Sequence, residues 1–124
     1  MGLDRKYLVW SLAYVAVGMA LGIYMAASHD HAQHVTHAHI LLVGFVVSFI
    51  YAVIHKLWLG EQASLLPRLQ FAVHQAAAVV LLAGLFLLYG SFVPGERIEP
   101  LLASGSVAIL LAALMMIAMV LRKK

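Results

Sequence analysis

Four long apolar segments make up most of this chain and constrain its fold more than any other feature. They cover about residues 7–27, 37–57, 69–90 and 101–121, and each has the roughly 20 apolar residues that a helix needs to cross a bilayer. Of the 124 residues, 65% are hydrophobic and 10% are charged, which is too apolar for a soluble protein. We therefore predict an all-α integral membrane protein, a four-helix bundle in one domain over residues 1–124.

The basic residues predict how this bundle is oriented. If the four segments alternate in direction, seven of the eight lysines and arginines fall on the side of the two termini, and only Arg97 falls on the other. The positive-inside rule then places both termini in the cytoplasm. In a bacterial inner membrane, the loop between the first two spans would face the periplasm. The sequence pI of about 9.5 follows from this topology and does not indicate nucleic-acid binding.

Aromatic and proline residues mark the predicted ends of the spans. Pro67 and Pro100 are expected at the starts of the third and fourth helices, where the missing N–H of proline costs nothing. Aromatic side chains typically lie at the membrane interfaces; the candidates are Tyr7, Trp10 and Trp58 at the inner surface and Tyr24, Tyr89 and Phe92 at the outer surface.

Small residues indicate where helices approach one another closely. Gly18 and Gly22 form a GxxxG pattern in the first span, which favours a helix contact within the bundle. The fourth span is also rich in glycine, alanine and serine. We expect it to pack tightly, either within the protomer or against a neighbouring copy. The short connections predict that neighbouring helices are antiparallel.

Five of the seven histidines lie between residues 29 and 39, where a loop enters the second span; they are His29, His31, His34, His37 and His39. Neutral imidazole is the commonest metal ligand, and Asp30 adds a carboxylate. Nitrogen and oxygen ligands suit Zn²⁺ or Cu²⁺, so the cluster predicts a copper or zinc site. A solvated polar loop is the alternative, because no strict metal-ligand spacing is present. The chain has no cysteine, which excludes thiolate sites and covalent c-type haem.

The other two histidines, His55 and His74, lie inside predicted spans, where ionisable side chains are costly and usually functional. They are at similar depths on two adjacent antiparallel helices. Two imidazoles so placed are able to hold a b-type haem between helices. Gln70, one turn before His74, is a candidate to orient its ring. The alternative is that His55 lies at the interface beside Lys56 and that His74 donates a hydrogen bond to a carbonyl.

Two short motifs resemble a known family. Thr36-His-Ala-His-Ile-Leu-Leu-Val-Gly-Phe45 fits an H-x-H-(x)4-G-(F/W) pattern, and Phe71-Ala-Val-His-Gln followed by Gly84 and Gly90 resembles the next helix of the same proteins. The chain thus resembles small four-helix membrane proteins related to subunit I of the haem–copper oxidases, the cytochrome c oxidase family. The likeness covers the second and third spans by motif and the other two by hydropathy.

This resemblance carries specific expectations. It implies that His39 or His37 ligates a low-spin haem. Subunit I has twelve helices in three arcs of four, so a homotrimer of this chain would reproduce the ring. A respiratory-chain partner is also implied. One protomer does not supply a haem ligand together with three copper-binding histidines from distinct helices, so oxygen reduction by this chain is not predicted, and whether it is an enzyme stays open.

The sequence therefore predicts an inner-membrane protein that binds haem b, a transition metal or both, and acts in electron transfer or sensing. The candidate haem ligands are His37, His39, His55 and His74, and the candidate ligands of copper or zinc are His29, His31, His34, His37 and His39. Two alternatives stay open. One is a periplasm-facing zinc- or copper-binding protein without haem, and the other is a structural or assembly subunit of a respiratory complex.

Overall fold

The computed structural model describes residues 1–123, which form four long helices. These are α1 (Leu3–Ser28), α2 (His34–Leu59), α3 (Leu65–Tyr89) and α4 (Gly95–Arg122). No strand occurs in this range, and all four helices are long and apolar enough to cross a membrane. The prediction of an all-α protein with four candidate spans is confirmed.

Each helix is longer than the apolar segment that predicted it, because helical hydrogen bonding continues into polar residues beyond the hydrocarbon. The first turns of α4 contain Glu96 and Arg97, and Pro94 occupies the residue before the helix. The prediction that Pro100 begins the fourth helix is therefore wrong, since Pro100 lies inside α4. Pro67 does lie in the first turn of α3, where its missing N–H has no helical partner to lose.

Two stretches of α2 have wide π-helical turns, Ile40–Val46 and His55–Leu59. In the second, the N–H of Gly60 donates to the carbonyl of His55 at 2.9 Å, which is the i to i+5 bond of a π-turn. Such turns often occur at functional sites. His39 directly precedes the first stretch and His55 begins the second, so candidate ligands lie at both borders.

Glycines bring α1 and α2 close together. A Cβ atom built on Gly18 would lie 2.6 Å from the side chain of Leu41, and one on Gly22 would lie 2.9 Å from Cε1 of His37. Real Cβ contacts are essentially never this short. The GxxxG pattern therefore packs within the bundle, as predicted, and the imidazole of His37 occupies the space that the missing side chain leaves.

The small residues of the fourth span divide between two surfaces. Gly105 packs on α3, where its built Cβ lies 3.3 Å from Leu81, and Ala112 is fully buried. Ser104 and Ser106 are exposed, and each donates its hydroxyl to a carbonyl one turn earlier in α4 at 2.8 Å. Part of this small-residue surface thus serves the α3–α4 contact.

The bundle buries a set of polar side chains among its apolar core clusters, and its exterior is apolar. Its buried polar side chains are Ser11, Gln33, Thr36, Ser48, His55, Gln70, His74 and Gln75. Large apolar side chains such as Val17, Ile23, Leu110 and Ile117 are more than half exposed. This distribution is the one expected of an integral membrane protein whose outer surface contacts lipid.

The two ends of the bundle have different compositions. At one end, Gln62 of the α2–α3 connection lines one cleft together with Leu3 and a second cleft together with Arg122. The start of α1 and the end of α4 therefore lie at the same end of the bundle. We call this the terminal end. At the other end, Nε2 of Gln33 donates to the carbonyl of Phe86 at 3.0 Å. We call it the His-rich end, because the loop 29–33 lies there.

We predict that Gly44→Ala destabilises the bundle by about 1–3 kcal/mol through overpacking. A Cβ atom at Gly44 would lie 2.6 Å from the ring of Tyr14, and that ring is buried. Unfolding in detergent measures the change. Gly95→Ala is the matched control, because its Cβ would meet only Leu88, at an ordinary 3.7 Å. Equal stability of the two variants would contradict the close α1–α2 contact.

Candidate functional site

His37 forms a hydrogen bond between α2 and α1. Its Nδ1 lies 2.8 Å from the carbonyl oxygen of Gly18, and the ring lies against Gly22. A carbonyl oxygen only accepts, so Nδ1 carries the proton. In the neutral ring the lone pair is then on Nε2, the form in which imidazole binds metals.

His39 and His34 have the same ring geometry. Nδ1 of His39 lies 2.8 Å from the carbonyl of Val35, and Nδ1 of His34 lies 3.0 Å from the carbonyl of His31. Metal-ligating histidines generally donate their second ring N–H to a carbonyl or carboxylate, which fixes the tautomer and the orientation of the ring. Three imidazoles at the His-rich end therefore have Nε2 available as an electron-pair donor.

These rings do not converge within one protomer. His37 and His39 are two residues apart, which separates them by about 160° around an α-helix. His37 faces α1 through Gly18, while the ring of His39 is held by a carbonyl of its own helix. Across residues 1–123, no three histidine, cysteine or acidic side chains are arranged to hold a metal ion.

The loop before α2 also differs from the predicted ligand cluster. His29 has φ 58°, a left-handed conformation that ends α1, and His29 and His31 are exposed. Oδ1 of Asp30 accepts a hydrogen bond from the N–H of Ala32 at 3.0 Å, so this carboxylate closes a turn. In this turn the exposed rings of His29 and His31 are not part of any group of three potential metal ligands among the described residues.

A second group of polar side chains lies inside the bundle, toward its terminal end. The hydroxyl of Tyr7 donates to Oε1 of Gln70, and Nε2 of Gln70 donates to the carbonyl of Ala112 at 3.1 Å. Gln70 thus links α1, α3 and α4. The prediction that Gln70 orients the ring of His74 is wrong, because both ends of its amide have other partners.

A parallel chain of hydrogen bonds uses Gln75. The hydroxyl of Tyr14 donates to its Oε1 at 2.7 Å, and its Nε2 donates to Oγ of Ser48 at 3.2 Å. Ser48 Oγ also lies 3.4 Å from Nε2 of His74. This chain joins α1, α2 and α3, and together with the Gln70 bonds it forms what we call the interior network.

His55 and His74 both pack around one tyrosine. The His55 ring stacks on Tyr7 with centroids 5.7 Å apart, and the His74 ring lies 6.2 Å from the same ring. Tyr51 contacts both Tyr7 and His74 edge-on. The sequence predicted that the two imidazoles face each other across a haem, whereas the structure places both against Tyr7, which is fully buried. A haem bound between them would have to displace that ring.

Two ring nitrogens of this group are buried without a hydrogen-bond partner among the described residues: Nε2 of His55 and Nδ1 of His74. His55 is 3% exposed and His74 is 0% exposed. A buried unpaired polar atom in a native protein calls for a water, an ion or a functional role. The sequence prediction that these histidines differ from ordinary packing residues is consistent with this geometry.

Comparison of the chain with protein-family models, with curated proteins and with solved structures found no match. The resemblance to haem–copper oxidase subunit I therefore stands on the two sequence motifs alone.

Sequence reasoning missed the tyrosines of the interior network. Tyr7 was predicted to mark the membrane interface, but its side chain is fully buried in the bundle and so does not face the lipid headgroups. The signal was present: Tyr7, Ser11, Tyr14 and Gly18 recur every three or four residues and form the buried face of α1. On a helix with apolar residues elsewhere, such a polar stripe marks the side that faces the protein rather than the lipid.

We predict that Gln70→Leu costs about 1–3 kcal/mol of unfolding free energy, because it leaves the buried Tyr7 hydroxyl without its acceptor. In the double variant Tyr7→Phe/Gln70→Leu that hydroxyl is gone, so the two costs should not add. Unfolding of the full double-mutant cycle in detergent measures the coupling. Gln62→Leu, in the α2–α3 connection, serves as the control for changing glutamine to leucine. Additive costs for Tyr7 and Gln70 would contradict the bond.

Proposed function

We propose that this chain binds a transition-metal centre, haem b or a copper or zinc ion, through imidazoles at its His-rich end, and that it acts in electron transfer or sensing. One observation supports this most directly. His34, His37 and His39 each donate Nδ1–H to a backbone carbonyl. These bonds orient the rings and leave Nε2 unprotonated, which is the state that a metal requires.

The divergence of His37 and His39 favours a site between protomers. The rings of His37 and His39 lie on different sides of α2, so these two imidazoles of one protomer do not reach a common ligand. A metal or haem that needs two or more nitrogen ligands would then take them from different copies. A homotrimer, as the resemblance implies, would bring three copies of each imidazole around one axis. Alternatively, a respiratory-chain partner protein would supply the further ligand.

The interior histidines are the second candidate pair for haem b. The unpartnered nitrogens of His55 and His74 favour a ligand there. The packing of both rings on Tyr7 disfavours a group as large as haem. When bound, haem b would supply a one-electron carrier; the residues of this chain supply the imidazoles and an interior shielded from water. We therefore place the favoured haem ligands at His37 and His39.

The first experiment is an ultraviolet–visible spectrum of detergent-purified protein, oxidised and dithionite-reduced, with metal analysis of the same sample. We expect a Soret band with sharp reduced α and β bands, or near-stoichiometric copper or zinc. His37→Ala or His39→Ala should remove the signal, because each removes an oriented Nε2. Tyr24→Ala is the control, since Tyr24 is 58% exposed, is not a candidate ligand, and should leave the signal unchanged.

Other outcomes select between the alternatives. A colourless protein that holds zinc or copper and releases it below about pH 6, as imidazoles protonate, would be a metal-binding protein without haem. Loss of a haem band only in His55→Ala and His74→Ala would move the site to the interior. A folded sample with neither cofactor, but with stable association to other membrane subunits, would indicate a structural or assembly subunit.

We also propose that the chain lies in a bacterial inner membrane with both termini in the cytoplasm and the His-rich end in the periplasm. The charge asymmetry supports this, because Arg97 is the only basic side chain on the side of the His-rich end.

The topology is testable because the chain has no cysteine. Ala32 and Ala63 are both exposed, one in each connection. In intact cells with a permeable outer membrane, a membrane-impermeant maleimide should label the Ala32→Cys variant and should not label Ala63→Cys until the inner membrane is broken. The reverse pattern would show that the bundle is inverted.

A further inference from the structure

A cleft of about 590 Å³ opens at the terminal end of the bundle. The first turn of α1, the end of α2 and the start of α3 surround it. Its volume lies within the range of pockets that hold small ligands or headgroups. Neither the His-rich end nor the interior network contributes a residue to it.

Basic side chains from three helices line this cleft. They are Lys6 of α1, Lys56 of α2 and Arg68 of α3, with Asp4 and Glu61 as the acidic residues. Basic side chains therefore exceed acidic ones. The starts of α1 and α3 line the cleft and add positive potential through their unpaired N–H groups, while the end of α2, which also lines it, adds negative potential. The cleft is suited to an anionic group.

One buried histidine forms part of the wall of this cleft. His55 lines the cleft, is 3% exposed, and stacks on Tyr7. Its Nε2 is itself buried, so the anionic group would be held by the basic side chains and not by this nitrogen.

We propose that this cleft binds the phosphate group of an anionic phospholipid headgroup. The position fits a lipid rather than a free metabolite, because the cleft lies where spanning helices end and Trp58, an interface-type side chain, is 60% exposed beside it. Basic pockets between membrane helices are typical sites for such headgroups. The site is separate from the proposed metal centre and does not depend on it.

The test titrates dioleoylphosphatidylglycerol into the full chain in detergent and counts bound lipids by native mass spectrometry. The variant is Lys56→Gln/Arg68→Gln, which removes two exposed cations. We expect binding to weaken about thirtyfold, since each of the two basic side chains near a headgroup contributes on the order of 1 kcal/mol. The control is Arg122→Gln/Lys123→Gln, which removes equal charge at the same end but outside this cleft.

Weaker binding in the cleft variant alone, together with a preference over dioleoylphosphatidylcholine, would support the proposal. Equal weakening in both double variants would overturn it, because attraction would then come from overall surface charge. Inorganic phosphate is the third probe. If it displaces the lipid at low millimolar concentration and no preference among lipids is found, the site takes free phosphate, and the lipid assignment is overturned.

Discussion

The amides of Gln70 and Gln75 hold the four helices of this bundle together. In lipid, helices gain nothing by hiding apolar surface from one another, so packing and interhelical hydrogen bonds must supply the specificity of association. Gln70 joins α3 to α1 and α4, and Gln75 joins α3 to α1 and α2. Both lie on the buried face of α3. The position of every other helix, and so of every candidate ligand, is set relative to this face.

Close contacts at glycines also determine how the helices pack, in addition to the glutamine hydrogen bonds. Gly18 and Gly22 let α2 approach α1 so closely that the His37 ring reaches the Gly18 carbonyl. On the other side of the bundle, Gly84 and Gly105 let α4 approach α3. The candidate ligand His37 is therefore oriented by a packing motif, and any residue larger than glycine at position 22 would move its ring.

Much of the fold followed from the sequence, and the reasons for the failures are physical. Four apolar segments of sufficient length predict four spans, and the GxxxG pattern predicts a helix contact within the bundle, because both depend on local composition. The burial of Tyr7 is signalled by the polar stripe of α1 and not by mean hydropathy, and the partners of Gln70 depend on which helix faces are brought together. The start of α4 at Gly95 was missed because helical hydrogen bonding does not require apolar side chains.

For the candidate site, the sequence predicted which histidines are unusual but not how they are arranged in space. Residue type and spacing identified His37, His39, His55 and His74 as unusual, and the structure gives each of them a distinctive environment. Spacing failed to predict convergence, because His29 adopts a left-handed conformation and Asp30 closes a turn.

The histidines of the His-rich end and the interior histidines, His55 and His74, lack different partners. At the His-rich end, imidazoles are oriented by carbonyls but are spread around α2, so what is missing is a second ligand at the same point. In the interior, His55 and His74 are brought to one tyrosine but have nitrogens without partners. A second protomer can supply the further ligand that is missing at the His-rich end. The unpaired nitrogens of His55 and His74 need only a small hydrogen-bond partner, such as water, within the existing packing. This difference is the reason why the proposed cofactor site is at the His-rich end rather than in the interior.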